Sequence, residues 1–228
     1  MSVFCKEVAV TIDLTTVPSE SSLIDETLKA QLRTIFSKMQ EPVTLKAVVD
    51  MGREKDAGMA AFLNTVVNLG EKLELELYSP EEASQVPELD TTYLPVTGLY
   101  KGGTYGRAAF HGIPGGKEVN SFVLAIYNLA GPGQEVSRGL KKKIDKINKK
   151  TNIKICVSLA CHHCPNVVAA CQQVAILNPN VEAEMIDAAL YEELVAKYKI
   201  ERVPMMIVND SEIHMGNKTM EDIVTLLK

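Results

Sequence analysis

An internal repeat with an offset of about 108 residues constrains this chain more than any other feature of its sequence. A predicted helix in each copy has one apolar face, a strand follows it, and a second helix repeats the same pattern of apolar positions. Matching positions include Leu32 with Leu140, Phe36 with Ile144, Leu45 with Ile153, Val49 with Val157, Met59 with Val167 and Leu63 with Cys171. The chain is therefore built from two copies of one unit.

Each unit is predicted to run helix, strand, helix, strand, helical connection, strand, hairpin, strand, helix. Helix–strand alternation that ends in a hairpin indicates an α/β fold with mixed sheets and helices on both faces. Gly131-Pro132-Gly133 cannot continue a helix, so we place the boundary there. The predicted division is an N-terminal extension over 1–21, a first fold over 22–131 and a second fold over 132–228. The β-type composition of 3–12 is compatible with an added edge strand.

Charge and hydropathy narrow the classes of partner. The formal net charge of −5 argues against binding to a phosphate backbone, which requires a basic surface. No apolar run reaches the roughly 18 residues of a membrane span. Lys6, Glu7 and Asp13 lie where a secretory signal needs its apolar stretch. The expectation is a soluble, cytoplasmic protein that binds neither nucleic acid nor membrane.

The five cysteines include one closely spaced pair, in the segment Cys161-His162-His163-Cys164. An odd number does not suit a structural disulfide framework, whereas a close pair in a reducing compartment indicates redox chemistry or metal binding. The pair falls between a predicted strand and a helix that runs to Leu177. Unpaired N–H groups and the dipole at that helix N-terminus favour a thiolate, which is the reactive form of cysteine.

Three-residue spacing on one helical turn lets the two sulfurs form a disulfide. Cys161 is predicted at the exposed end as the attacking thiol, and Cys164 behind it as the resolving thiol. His162 and His163 are either solvated spacers or groups that stabilise the thiolate and make the couple more oxidising. We also count both histidines as candidate substrate contacts.

Two alternatives to redox chemistry remain open. Cys161 and Cys164 are also half of a zinc site, but no second Cys-x-x-Cys is present and only His111 and His214 remain as distant histidines. A non-catalytic peptide-binding adaptor is the other alternative. Cys156 and Cys171 match apolar positions of the first repeat and are predicted to be buried apolar residues, and Cys5 to be an incidental thiol.

Val203-Pro204 precedes a predicted strand at the point where a substrate chain could approach the cysteines. Both residues are therefore candidate substrate contacts. Cis bonds account for only about 5–6% of X–Pro bonds in folded proteins, so composition alone favours a trans bond there. Leu94-Pro95 occupies the corresponding place in the first repeat.

The first repeat lacks the cysteine pair. Residues 52–56 take its place, and their sequence is Gly-Arg-Glu-Lys-Asp. Glu118 begins the last helix of that repeat, where an acidic side chain most simply offsets the helix dipole.

The glycine pairs at 102–103 and 115–116 match neither a dinucleotide fingerprint nor a phosphate loop. Six lysines between Lys141 and Lys150 fit the solvated face of an amphipathic helix.

Several segments together resemble the N-terminal domain of the bacterial alkyl hydroperoxide reductase flavoprotein, which re-reduces a peroxiredoxin. They are 158–165, 177–179, 203–204 and 112–118. The resemblance implies two tandem thioredoxin-like folds of which only the second keeps its cysteines. It further implies cis prolines, Cys161 as the thiol that forms a mixed disulfide with the partner, and Glu118 as a nearby acid–base residue. This chain has Gly-Lys-Glu at 116–118, where the family has Gly-His-Glu.

The same resemblance implies that FAD and NADH bind to modules beyond Lys228, and that this chain itself carries only its redox disulfide. The chain would then be either an excised domain or a free-standing carrier. In the second case, a thioredoxin-reductase-like flavoprotein would supply electrons and a peroxiredoxin or another disulfide protein would receive them. The first fold would serve as scaffold and partner surface.

Overall fold

The computed structural model describes residues 12–228 and contains one mixed sheet of eight strands in the order β2-β1-β3-β4-β6-β5-β7-β8. The strands are β1 (Val43–Val48), β2 (Leu73–Tyr78), β3 (Val96–Lys101), β4 (Thr104–His111), β5 (Thr151–Val157), β6 (Val181–Asp187), β7 (Met205–Val208) and β8 (Glu212–Met215). The helices are α1 (Glu26–Phe36), α2 (Glu54–Val67), α3 (Val119–Ala130), α4 (Arg138–Ile144), α5 (Cys164–Leu177), α6 (Glu192–Tyr198) and α7 (Met220–Leu226).

The two repeats contribute four strands each with the same connectivity. In both, two parallel strands (β1 with β2, β5 with β6) are followed by an antiparallel hairpin beside the first of them. The register confirms the offset found in the sequence, because Val43 faces Leu73 as Thr151 faces Val181. The expected α/β class with mixed strand pairing is confirmed.

A parallel pairing of β4 with β6 joins the strands of both repeats into one continuous sheet. Sequence analysis anticipated a sheet for each repeat and did not anticipate this junction. His111 at the end of β4 is buried, and its Nε2 lies 3.1 Å from Glu184 Oε2 on β6. Since β1, β2, β4, β5 and β6 are mutually parallel, their carboxyl ends meet along one edge of the sheet, which we call the C-edge.

The apolar core also runs through both repeats. Phe62 on α2 and Phe110 on β4 both pack against Phe122 on α3, with ring centroids 5.9 and 5.1 Å apart. All three side chains are fully buried, and burial of such aromatic groups dominates core energetics. α3 of the first repeat and α5 of the second pack against each other. The first repeat therefore supports the helix that carries the cysteine pair.

Helix boundaries differ from the sequence expectation at two places. The segment predicted as one helix over 116–130 begins as a 3₁₀ turn, Gly116–Glu118, before α3. At the C-terminus, Thr219 and Asp222 form a capping box, so α7 begins at Met220 rather than at Thr219. Short-range capping geometry decides such boundaries, which periodicity does not resolve.

The proposed edge strand over 3–12 falls almost wholly outside the described residues. Val17, in the described part of the N-terminal segment, is buried, and Asn64 Nδ2 on α2 donates a hydrogen bond to its carbonyl oxygen at 3.1 Å.

The division of the chain into two folds at 131–132 stays a prediction. Among the described helices, none is long and apolar enough to cross a membrane.

Candidate functional site

The cysteine pair lies on the C-edge, in the loop that leads from β5 into α5. Cys161 N donates to Ser158 O at 2.9 Å, which tightens the loop, and α5 begins at Cys164. Pro165 occupies the first turn, where its missing N–H costs no helical hydrogen bond. Cys161 and Cys164 are joined by a disulfide, with their Cα atoms 5.6 Å apart. The predicted location at a helix N-terminus is confirmed.

The two sulfurs lie in different environments. Cys161 is half-buried, whereas Cys164 is fully buried beneath it. The backbone N–H of Cys164 donates to Cys161 Sγ at 3.2 Å, so the helix N-terminus directs a donor at the more accessible sulfur. This arrangement favours negative charge on Cys161 when the disulfide is opened. His162 and His163 are both exposed beside it.

Val203 and Pro204 lie next to this loop because of the register of β7. Cys156 on β5 pairs with Met205 on β7 in an antiparallel ladder, so Pro204 falls level with Val157, at the start of the cysteine loop. The Val203–Pro204 bond is cis, as are Leu94–Pro95 and Gly131–Pro132. Composition alone favoured trans bonds, and the cis geometry implied by the family resemblance is the one observed.

Glu118 is fully buried at the junction of its 3₁₀ turn and α3. Lys117 N donates to Leu159 O at 2.9 Å, which fixes the turn against the loop that carries Cys161. Gly116 has φ of +55° and a Cβ there would lie 2.7 Å from Leu159 O, so this close approach needs glycine. The turn also packs against α5.

Burial raises the pKa of the Glu118 carboxyl to about 7, and the negative charge of Asp187 adds to this effect. Ser121 Oγ donates to Glu118 Oε2 and opposes the shift, while Oε1 has no hydrogen-bond partner among the described residues. The sequence expectation that Glu118 simply offsets the helix dipole is incomplete. A half-protonated carboxyl at neutral pH can accept and release protons.

The first repeat places an ion pair where the second has the disulfide. Arg53 N donates to Asp50 O at 2.9 Å, just as Cys161 N donates to Ser158 O. At the same offset, Asp56 takes the place of Cys164. Asp56 is fully buried, burial raises its pKa, and its Oδ1 lies 3.4 Å from Arg53 Nε.

Sequence reasoning identified the cysteine-free segment but missed this ion pair, and it missed Ser121 and Asp187 beside Glu118. The repeat offset alone pairs Arg53 with Cys161 and Asp56 with Cys164, so that signal was present.

Cys156 and Cys171 are buried free thiols as predicted. Burial raises the pKa of Cys156 to about 12 and that of Cys171 further, which suppresses thiolate formation at both.

The zinc alternative requires further ligands close to Cys161 and Cys164. Across residues 12–228, no group of three or more His, Cys, Asp or Glu side chains is arranged to hold a metal ion. The observed partners of the pair are instead each other's sulfurs.

The sheet topology and a Cys-x-x-Cys disulfide at a helix N-terminus define a thiol–disulfide oxidoreductase of the thioredoxin-like class. A family profile described as thioredoxin domain matches residues 151–228. A solved structure of the alkyl hydroperoxide reductase protein AhpF from Enterococcus faecalis is 38% identical, with a TM-score of 0.85 over 91% of this chain and 100% of that one. A solved structure of the N-terminal domain of AhpF from the same organism is 39% identical, with a TM-score of 0.84 over 90% of this chain and 100% of that one. This chain belongs to the AhpF family of alkyl hydroperoxide reductase proteins, and it corresponds to the N-terminal domain.

Curated relatives agree over nearly the whole chain. A protein named NADH dehydrogenase from Bacillus subtilis is 29% identical, and the AhpF-type alkyl hydroperoxide reductase protein of Pseudomonas putida is also 29% identical. Each alignment covers 89% of this chain but only 37% of the relative. The chain thus spans little more than a third of the length of these relatives.

Proposed function

We propose that this chain carries two electrons at a time through Cys161 and Cys164, from a thioredoxin-reductase-like flavoprotein module to the disulfide of a peroxiredoxin or another disulfide protein. The arrangement of the pair is the observation that carries the proposal. One sulfur is accessible and receives a backbone hydrogen bond, and the other is buried behind it. FAD and NADH would bind only to the flavoprotein, and the setting would be the cytoplasm.

In the reduced chain, the Cys161 thiolate attacks one sulfur of the substrate disulfide. A mixed disulfide forms, and the substrate's other sulfur leaves as a thiolate. Cys164 then loses its proton and attacks Cys161 Sγ, which restores the Cys161–Cys164 disulfide and releases the second substrate thiolate. The chain's dithiol is oxidised by two electrons, and the substrate disulfide is reduced by the same two.

Glu118 is suited to accept the proton that Cys164 loses in the second step. Its carboxyl has a pKa of about 7 and is carried by a turn packed against α5, the helix that begins with Cys164. A base with a pKa near the working pH transfers protons most effectively. When the flavoprotein reduces the pair again, Glu118 would return the proton.

Val203 and Pro204 are proposed to face the substrate backbone beside the cysteine loop. Val203 is half-buried and Pro204 buried, at the start of the strand level with Val157. His162 and His163 are exposed directly after Cys161 in the chain, where they would contact the substrate and, when protonated, stabilise the thiolate.

The test is to equilibrate purified chain across thiol/disulfide buffers and to measure alkylation of Cys161 and Cys164 by mass spectrometry. The proposal requires one reversible two-electron transition in which both thiols appear together. If the thiols react only after a chelator is added, the pair holds metal and the proposal fails. The partner class is tested with Cys164→Ser, which should trap an oxidised peroxiredoxin as a mixed disulfide, whereas Cys161→Ser should trap nothing.

A further inference from the structure

We infer that the cysteine-free site of the first repeat is a second docking point for the disulfide substrate, at which Arg53 binds an acidic side chain about six residues from the reactive cysteine. The inference rests on the proposed function and adds a specificity determinant to it. It assigns a role to the residues that take the place of the cysteine pair in the first repeat and contain no cysteine.

The two sites share the strand pairing and the proline turn beside them. Gly112 N donates to Pro95 O at 2.9 Å, and Gly216 N donates to Pro204 O at the same distance. Val48 pairs with Val96 as Cys156 pairs with Met205. The helix start differs, because at the 108-residue offset α2 begins two residues earlier than α5, and Arg53 is therefore the N-cap residue of α2.

Arg53 is the accessible group of the first site, as Cys161 is of the second. Its side chain is 51% exposed, while the Asp56 carboxylate that pairs with its Nε is fully buried. The contact at 3.4 Å is an ion pair without a hydrogen bond, since Asp56 Oδ1 has no hydrogen-bond donor among the described residues. The N–H donors of the guanidinium are therefore free for bidentate binding of a carboxylate. Lys55 and the acidic Glu54 are both exposed on the same turn, so Arg53 is the group with donors arranged for a carboxylate.

Two apolar side chains of the first repeat are exposed on this part of the surface. Met51, two residues from Arg53, is 37% exposed, and Leu23 is 49% exposed. Leu23 Cδ1 would lie 3.8 Å from a Cβ on Gly115, so it borders the loop between β4 and α3. A segment with an acidic residue and some apolar character complements Arg53 in charge and these side chains in hydropathy.

A continuous surface connects the two sites along the C-edge. Ile113 packs on α2, since its Cδ1 lies 3.3 Å from a Cβ placed on Gly58. Leu190 Cδ1 packs closely on Gly112 in the next loop, and Gly116 abuts Leu159 in the cysteine loop. Ile113 and Leu190 are half-buried and thus form an apolar floor between Arg53 and Cys161.

The strand order sets the distance between the strands that lead into the two sites. β1 and β5 are four strand steps apart, through β3, β4 and β6. At about 4.8 Å per step, these strands are about 19 Å apart across the sheet, which an extended chain spans with about six residues at roughly 3.3 Å each. One polypeptide segment can therefore occupy both sites.

The test uses synthetic peptides whose single cysteine is disulfide-bonded to thionitrobenzoate, which is coloured once released. Glu is placed three, six or nine residues from the cysteine, on either side, and matched peptides carry Gln instead. The reduced chain is mixed with each peptide below saturation, and the second-order rate constant of thionitrobenzoate release is measured. We expect about a tenfold preference for Glu over Gln, on one side of the cysteine and greatest at six residues.

Arg53→Gln should abolish this preference, and Arg53→Lys should keep part of it because the charge remains. The matched control is Arg138→Gln, which removes one exposed arginine from α4 and should leave the preference intact. Each variant's rate with the Gln peptide shows whether its redox site is folded. Since each preference is a ratio within one variant, general losses of activity cancel.

Equal rates for the Glu and Gln peptides in the unmodified chain would overturn the inference while leaving the proposed function in place. A preference that survives in Arg53→Gln, or one that Arg138→Gln removes equally, would also overturn it, because net charge rather than Arg53 would then be responsible. If the unmodified chain reduces none of the peptides, the proposed function itself fails.

Discussion

The sites at Cys161–Cys164 and Arg53–Asp56 occupy corresponding places in the two repeats and have different chemistry. In both, a short loop with one backbone hydrogen bond leads into a helix of 14 residues on the C-edge. In the second repeat, this geometry directs an N–H at a sulfur. In the first, it supports a buried carboxylate that holds an arginine. The fold places two side chains at the start of a helix in each repeat, and the identity of those side chains determines the chemistry of the site.

The comparison also shows that the first repeat contributes to the redox site. Glu118 belongs to the first repeat by sequence, yet its turn lies against Leu159 in the cysteine loop of the second. The β4–β6 pairing and the packing of α3 on α5 hold the two together. The first repeat thus contributes a buried carboxyl and a packing surface to the redox site of the second.

Cys161→Ser should have the largest effect, reducing the rate of disulfide reduction at least about 10³-fold, because it removes the attacking thiolate. The rate is measured with a small aromatic disulfide that releases a coloured thiol. Cys171→Ala serves as the matched control, since this cysteine is buried and its thiolate is suppressed. Comparable rates for Cys161→Ser and the control would refute the assignment of the attacking thiol.

The double change R53C/D56C should create a second disulfide in the first repeat. Arg53 N makes the same backbone hydrogen bond as Cys161 N, and cysteine places less charge in the buried position of Asp56. Alkylation with and without prior reduction, followed by peptide mass spectrometry, should show two additional thiols only after reduction. Two thiols that stay reduced in oxidising buffer would show that the earlier start of α2 prevents the two sulfurs from meeting.

Glu118→Gln should slow resolution of the mixed disulfide about 10²-fold, the lower end of the usual effect of a general base. In the unmodified chain, the rate of this step should rise with pH through about 7, as the carboxylate forms. The variant should lose this inflection. Stopped-flow measurement of the second step from pH 5.5 to 8.5 checks both expectations, and an unchanged inflection would exclude Glu118 as the base.

Glu118 should also make stability depend on pH. Its pKa is about 7 in the folded chain and 4.5 in the unfolded chain, so the folded state binds more protons between these values. The stabilisation is complete below pH 4.5 and is lost as pH rises through 7. The shift corresponds to about 3 kcal/mol in the free energy of unfolding.

Urea unfolding of the oxidised chain and of Glu118→Gln at several pH values isolates this contribution. The difference between their free energies of unfolding should change by about 3 kcal/mol between pH 4 and pH 8. The difference cancels the effect of Asp56, a buried acid that does not interact with Glu118 and whose pKa is also raised. A constant difference would show that Glu118 titrates normally.

The smallest expected effect is that of the histidines. Replacing His162 and His163 together by Ala removes two exposed groups that can carry positive charge beside Cys161. The reduced form loses stabilisation, so the reduction potential should fall by about 30 mV, equivalent to about a tenfold change in the equilibrium constant. The thiol/disulfide buffer titration measures this, and an unchanged potential would leave the histidines as solvated spacers.

The features of the fold that depend on the local spacing of apolar residues could be predicted from the sequence. The 108-residue offset matched the equivalent strands of the two repeats correctly, because each strand and helix shows its buried face through the spacing of apolar residues. It also placed the cysteine pair at a helix start and Cys156 and Cys171 in the core. The general position of the redox site follows from the same pattern.

Tertiary structure decided what depends on contacts between the repeats. The burial of Glu118, the raised pKa of its carboxyl and its proximity to the cysteine loop arise from α3, α5 and the β4–β6 junction, which join segments distant in sequence. The Arg53–Asp56 ion pair could also be recognised only in the tertiary structure. The repeat offset aligns these two residues with the cysteines, but it does not show that the Asp56 carboxylate is buried. The spacing of apolar residues indicates which side chains face the core. The pKa of a buried group and its ion pairs depend on which other side chains lie beside it, and the spacing does not indicate that.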